Sequence, residues 1–283
     1  MAKVAFLGTG LLGSGMIERM LRGGDAVAAW NRTAARARPL EAKGARLAPT
    51  PADAVRGAER VHLCLSDDAA VDGLLGELLP ALGAGAVVVD HTTVTPKGAA
   101  ARARRCAERG TRFLHAPVFM GPTAARDGQG LMLCSGPHEL FTRVEPALRA
   151  MTGDLWYLGE RPDLAAAYKL FGNVLILAIV GGLADVFQLA KQVGVHAEDA
   201  HALFSRFKPA MTVELRGRNM AVGNFAPSFE MVMARKDLRL MLETAGGAPL
   251  CLVPALAARL DEAIAEGHGA EDVGAIAAGR RLA

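Results

Sequence analysis

Three groups of residues in this chain have types and spacing that could do chemistry. The first, Gly8-Thr9-Gly10-Leu11-Leu12-Gly13, is a G-x-G-x-x-G run that follows apolar Val4–Leu7 and opens a helix-like segment. Each glycine serves a separate mechanical purpose, with a tight turn at Gly8, close backbone approach to a pyrophosphate at Gly10, and close helix–strand packing at Gly13. The free N–H groups and positive potential of the helix start favour phosphate there, so the run is expected to hold a dinucleotide. The second group, Asn31-Arg32-Thr33, stands about 20 residues on, where NAD enzymes place a carboxylate against the adenosine ribose. Here a neutral amide, a planar cationic fork and a hydroxyl stand instead, a set suited to a 2′-phosphate dianion. NADP is therefore the expected cofactor, with NAD possible. The third group is Lys169 and Asn173, four apart and so on one face of a helix. A partly desolvated lysine, its pKa lowered toward the working range, can exchange a proton with a carbonyl oxygen during hydride transfer. A neighbouring amide can hold that oxygen or the ammonium in place.

The elements that must position these groups follow from the pattern. Val4–Leu7, Ala26–Trp30, Val61–Leu65 and Val87–Val89 are short apolar runs that enter Gly-rich or polar turns, with helical stretches such as 11–23 and 97–109 between them. Continuous apolar strands alternating with helices predict an α/β fold, a doubly wound parallel sheet covered on both faces. Leu65 ends one such run and joins the expected cofactor-facing set. Further β-like runs lie near 112–114, 131–134 and 155–158. After Pro162 the texture becomes all-helical. One long helix over 163–193 is predicted to leave the sheet domain and cross a cleft between domains, and helices near 197–207, 211–221, 229–245, 250–266 and 271–280 follow. Residues 1–162 are read as the cofactor domain and 163–283 as an all-α substrate and dimerisation domain. The stretch Val174–Val180, apolar on nearly every side, should be buried all round, in part by a partner subunit; a homo-oligomer is expected.

Composition narrows the field. The chain has 283 residues, 51% hydrophobic, 22% charged and 5% aromatic, proportions of a globular protein rather than a disordered or disulfide-framed one. A net charge of +3 is too small to argue for a polyanion partner. The arginine-rich stretch 102–112 carries no aromatic interleaving and reads as a solvated helix face, so no nucleic acid is expected. Four scattered cysteines give neither a zinc pattern nor a disulfide framework and are read as buried free thiols. His196 and His201, flanking Glu198 and Asp199, match no familiar zinc spacing, so no metal is expected. The N-terminal apolar run meets Gly8 and charged Glu18 without a cleavage pattern, and the longest apolar run, 174–184, is too short to span a bilayer. A cytoplasmic protein without a membrane partner is expected.

Four motifs in order resemble the β-hydroxyacid dehydrogenase family, the group of 3-hydroxyisobutyrate dehydrogenase and glyoxylate or succinic semialdehyde reductase, with a 6-phosphogluconate dehydrogenase type of NAD-binding domain. They are Gly8–Gly13 with Asn31-Arg32-Thr33, then Asp90-His91-Thr92-Thr93 through Pro96, then Ala116-Pro117-Val118 with its glycine-containing loop, and finally Lys169 to Asn173 with Lys236-Asp237-Leu238. The resemblance implies a Rossmann domain joined by a long interdomain helix to a helical one. It also implies oxidation of a small hydroxy acid or reduction of its aldehyde or keto form, Lys169 as general acid/base, Thr93 near the nicotinamide, and Lys236 beside cofactor and substrate. The substrate implied is a small molecule bearing a carboxylate, held by the loop at Phe119, Met120 and Gly121. There the family usually has Ser-Gly-Gly, so a hydroxyl is lost and two bulky apolar side chains arrive. His115 stands where the family tends to have a carboxylate, and Gly172 where it often has another asparagine. Trp30-Asn31-Arg32-Thr33 also resembles imine reductases, which generally carry Asp or Tyr in place of Lys169. A non-catalytic NADP-binding protein is the third possibility.

Overall fold

The computed structural model describes residues 2–279. Six parallel strands, β1 (Lys3–Leu7), β2 (Ala26–Trp30), β3 (Arg46–Leu47), β4 (Arg60–Leu63), β5 (Val87–Asp90) and β6 (Arg112–His115), form one sheet in the order β3-β2-β1-β4-β5-β6. Between them run helices α1 (Leu11–Arg22), α2 (Pro51–Val55), α3 (Asp68–Leu78) and α4 (Pro96–Glu108). The chain leaves β1 in one direction toward β2 and β3, then in the other toward β4. The strand order therefore reverses beside β1, and ligands of such sheets bind at the carboxyl ends near that switch. Alternation along β1 puts Phe6 in one core with Met16, Ile17 and Leu114, and Leu7 in another with Leu63, Leu75 and Val88. This is the doubly wound Rossmann-type arrangement that the alternating pattern predicts.

The later β-like runs behave differently from a simple continuation. Strands β7 (Val118–Phe119), β8 (Leu131–Cys134) and β9 (Asp154–Tyr157) make a separate three-stranded sheet in which β7 and β8 are antiparallel. Only the six-residue α5 (Pro122–Asp127) lies between β7 and β8. That is too short for a crossover to a parallel neighbour, so the chain turns back on itself. Helix α6 (His138–Arg149) connects β8 to β9.

Four polar side chains are buried across β4, β5 and β6: His62, Asp90, His91 and His115. His91 Nδ1 lies 2.6 Å from the Ala116 carbonyl and so carries the proton. His91 Nε2 then accepts from His62 Nδ1 at 2.9 Å, which leaves His62 Nε2 as an unpartnered acceptor. The rings stack with Phe6. Burial holds His62 well below the usual imidazole range and lowers His91 to about 4. Both histidines are neutral in the folded state, whereas the unfolded chain takes up protons as pH falls below about 6.5. The stability present above that pH is therefore lost progressively toward pH 4. His91 alone accounts for roughly 3 kcal/mol by then. Urea midpoints measured from pH 7 to 4 should fall accordingly, and His62→Phe should flatten the decline; an unchanged slope in that variant would contradict this account.

By residue contacts the chain divides into two compact units, one ending at Asn173 and the other starting at Val174. The division falls within α7 (Leu164–Gln192). The second unit contains α8 (Ala197–Arg206), α9 (Met211–Val222), α10 (Met231–Ala245) and α11 (Val253–Ala263), with Met231, Ala234, Leu260, Ala263 and Ala275 at its core. Asp185 accepts from the backbone N–H groups of Cys251, Leu252 and Val253 and so fixes the start of α11. The segment predicted as a helix over 271–280 is instead a short 3₁₀ turn, Val273–Ala277; residue 280 lies outside the described residues. Its cause is Asp272, whose carboxylate gathers the N–H groups of Ser228, Phe229 and Gly274, the Ser228 hydroxyl and Arg216.

Two expectations are corrected. Val174–Val180 is not buried within one chain: Val174 is 70% exposed and Leu177 68%. The neighbouring elements of a single copy leave this face bare, and by length and composition α7 is apolar enough to cross a membrane. Among the cysteines, Cys106 and Cys134 are buried free thiols and Cys64 is half-buried, but Cys251 is exposed.

Candidate active site

The glycine run lies at the carboxyl end of β1, and its geometry explains the glycines at the turn and at the helix–strand contact. Gly8 has φ +106°, and a Cβ there would fall 2.1 Å from the Cys64 carbonyl oxygen; a Cβ at Gly13 would fall 2.1 Å from that of Gly8. A Cβ built on Gly10 would meet nothing within 4 Å, so that side of its backbone is open to a ligand. Thr9 is buried beneath the loop, and its N–H donates to Asn31 Oδ1 at 3.0 Å. Asn31 Nδ2 donates to the Thr33 carbonyl at 3.0 Å. The amide thus clamps the phosphate loop to the end of β2.

A cleft of about 750 Å³ opens over this loop. Gly8, Gly10, Leu11, Leu12, Gly13, Asn31, Arg32, Thr33 and Leu65 all line it. Two cations line it as well, because Arg36 joins Arg32 from the 3₁₀ turn Ala34–Arg36. Arg36 was missed from the sequence; a second arginine one turn beyond the first was the available signal. The open Gly10 backbone, the helix start and the arginine pair suit a phosphorylated dinucleotide.

The segment after β5 is fixed from below. The Thr92 N–H donates to Asp90 Oδ1 at 2.9 Å, and Thr92 Oγ1 accepts from the Leu65 N–H at 3.0 Å. Buried Thr92 thereby ties together the turns carrying Leu65 and exposed Thr93. Thr93 is not among the residues lining the cleft.

Past β6, the Ala116 N–H donates to the Asp90 carbonyl at 2.7 Å, which holds the start of the 117–121 loop at the same carboxyl edge. A Cβ at Gly15 would meet the Pro122 carbonyl at 2.6 Å, so the following α5 packs tightly on α1. Met120 packs against the core while Phe119 is half-buried. Lys169 Nζ sits 3.9 Å above the Phe119 ring centroid, and burial lowers its pKa below the ordinary lysine value. Asn173 follows one turn later on α7 and is partly exposed. Lys236 lies on α10 in the second unit, exposed, with its ammonium 2.8 Å from Asp237 Oδ1. Among the described residues, no group of three His, Cys, Asp or Glu is arranged to hold a metal ion.

Sheet order, glycine turn and cleft define a dinucleotide-binding α/β protein with an oxidoreductase fold. Residues 3–159 match the family described as the NAD binding domain of 6-phosphogluconate dehydrogenase. An uncharacterized oxidoreductase from Shewanella frigidimarina is 31% identical over 250 residues, covering 87% of this chain and 86% of the relative. The cytokine-like nuclear factor N-PAC of Homo sapiens is 32% identical over 244 residues, 85% of this chain; the match spans only 44% of that protein's length. Among solved structures, an imine reductase from Myxococcus stipitatus in complex with NADP⁺ superposes with a TM-score of 0.91 at 22% identity, covering 97% and 98% of the two chains. A reductive aminase from Aspergillus terreus in complex with NADPH4, cyclohexanone and allyl amine has a TM-score of 0.88 at 26% identity, with 97% and 98% covered. The chain belongs to the 6-phosphogluconate dehydrogenase-type NAD-binding family.

Proposed function

We propose that this protein is an NADP-dependent oxidoreductase that interconverts a small hydroxy compound and its aldehyde or keto form, the class to which the hydroxy acids implied by the resemblance belong. The observation that carries the reading is the lysine: Lys169 Nζ stands half-buried over Phe119, in the loop that leaves the same sheet edge as the turns carrying Leu65 and Thr93. The dinucleotide, when bound, supplies or accepts the hydride. Gly8 to Gly13 hold its pyrophosphate through backbone N–H groups, and Arg32 with Arg36 pairs with the 2′-phosphate. Lys169 gives a proton to the carbonyl oxygen in reduction and takes it back in oxidation. Burial favours the neutral amine and so brings the proton affinity nearer to what that exchange requires. In this reading Asn173 orients the substrate oxygen through its amide, Thr93 serves the nicotinamide end of the cofactor, and Lys236 is assigned to cofactor and substrate by the resemblance alone.

A second reading, an imine reductase-like activity on the same architecture, is favoured by the likeness to the Aspergillus terreus reductive aminase. Against it stands Lys169 at the position where such enzymes were expected to carry Asp or Tyr. We also infer a homo-oligomer. Helix α7, whose apolar face is bare, also carries Asp185 on its covered side, buried and bonded to three backbone N–H groups. A second copy's helices over residues 163–283 cover that face better than lipid, where an engaged carboxylate is costly. The test takes protein whose mass in solution is at least twice that of the chain and follows NADPH absorbance with glyoxylate, succinic semialdehyde, methylmalonate semialdehyde, an uncharged aldehyde, and a ketone with an amine. Turnover of the carbonyls without amine is expected. Turnover only with amine present would favour the second reading, and NADPH binding without any turnover would overturn both.

A further inference from the structure

Two residues that break the resemblance, Phe119 and Gly172, meet in space. A Cβ built on Gly172 would fall 2.3 Å from Phe119 Cζ and 2.6 Å from its Cε1. The ring therefore occupies the volume that any side chain at 172 would need. The same ring lies under Lys169, 3.9 Å from the ammonium to the centroid. One missing side chain on α7 thus seats an aromatic floor beneath the group that handles the proton.

That floor has electrostatic consequences. The face of a phenyl ring is negative, so it attracts the ammonium and repels an anion brought against it. The ring satisfies one side of Nζ without a carboxylate. The half-buried ring offers an apolar contact to whatever lies beside the lysine, and the hydroxyl that would have donated to a carboxylate is gone. Anion recognition at this loop is reduced to the backbone N–H groups of Met120 and Gly121.

We propose that Phe119, seated by Gly172, is the specificity-determining residue of the site and selects an uncharged carbonyl compound with an apolar substituent beside the reacting carbon over an α-carboxylate of the same size. The assignment rests on the reading of Lys169 as the proton donor in NADPH-dependent carbonyl reduction.

The experiment compares kcat/KM for propanal and glyoxylate in the wild type, Phe119→Ser, Gly172→Ala and the double variant, with NADPH binding followed by fluorescence and Tm recorded for each. The wild type should favour propanal at least tenfold. Phe119→Ser should move the ratio at least tenfold toward glyoxylate. Gly172→Ala, which forces the ring aside without changing its chemistry, should move the ratio in the same direction and lower Tm by several degrees. In the Phe119→Ser background it should do neither. A wild type that reduces carbonyls but whose ratio is unmoved by Phe119→Ser overturns the assignment alone. Additive Tm changes, with no coupling between positions 119 and 172, would also overturn it. A wild type that binds NADPH and reduces neither compound overturns the reading beneath it, and the assignment with it.

Discussion

Lys169→Ala is expected to lower kcat for carbonyl reduction by roughly 10²–10⁴-fold, the usual contribution of a positioned general acid, while NADPH binding stays near the wild-type value. The reason for the split is positional: Lys169 sits over Phe119 and is not among the residues lining the glycine-loop cleft. Lys169→Arg separates proton transfer from charge. A guanidinium keeps the cation over the ring but does not release its proton, so this variant should be nearly as slow as the alanine. The pH profile supplies a further check. Burial lowers the lysine's pKa from its ordinary value near 10.5, and reduction needs the ammonium. The reductive rate should therefore fall, as pH rises, at a lower pH than an ordinary lysine would allow, and oxidation should rise over the same interval. Near-wild-type turnover in either variant would remove Lys169 from the chemistry.

Arg32→Ala is expected to lower kcat/KM with NADPH by about 10–100-fold while leaving NADH nearly unchanged. Charge-assisted hydrogen bonds to a phosphate contribute about 1.5–3 kcal/mol, and only NADPH presents the 2′-phosphate. Arg36 lines the same cleft from the adjacent 3₁₀ turn, so Arg36→Ala should shift the ratio in the same direction, and the double variant should approach parity between the cofactors. Asn31 behaves differently. Both ends of its amide are already engaged, by the Thr9 N–H and the Thr33 carbonyl, so Asn31→Ala should weaken both cofactors together by loosening the loop. The readout is the ratio of kcat/KM with each cofactor; an Arg32→Ala ratio equal to that of the wild type would sink the phosphate assignment.

Much of the fold was legible in the sequence, because local signals carry it. The continuous apolar runs became the central strands within a residue or two. The glycine run became the turn after β1, since only glycine fits at Gly8 and Gly13, and the long helix predicted over 163–193 is α7, Leu164–Gln192. Where prediction failed, a distant partner decided the outcome. Asp272 bends the expected terminal helix into a 3₁₀ turn through groups more than 40 residues away. The short stretch between β7 and β8 forces a second, partly antiparallel sheet. The apolar face of α7 looked like core because hydropathy records what a surface avoids without saying what covers it.

Spacing alone determined the kinds of group on offer: a glycine loop suited to phosphate, a cation where a ribose carboxylate is usual, and a lysine with an amide one turn along. Tertiary structure decided how those groups are held. It spent Asn31 on clamping the loop and brought Arg36 to the cleft beside Arg32. It also joined two departures 53 residues apart, Phe119 and Gly172, into one aromatic seat under Lys169. A sequence records which side chains are present and absent, but the volume that an absent one leaves, and which ring fills it, exists only once the chain has folded.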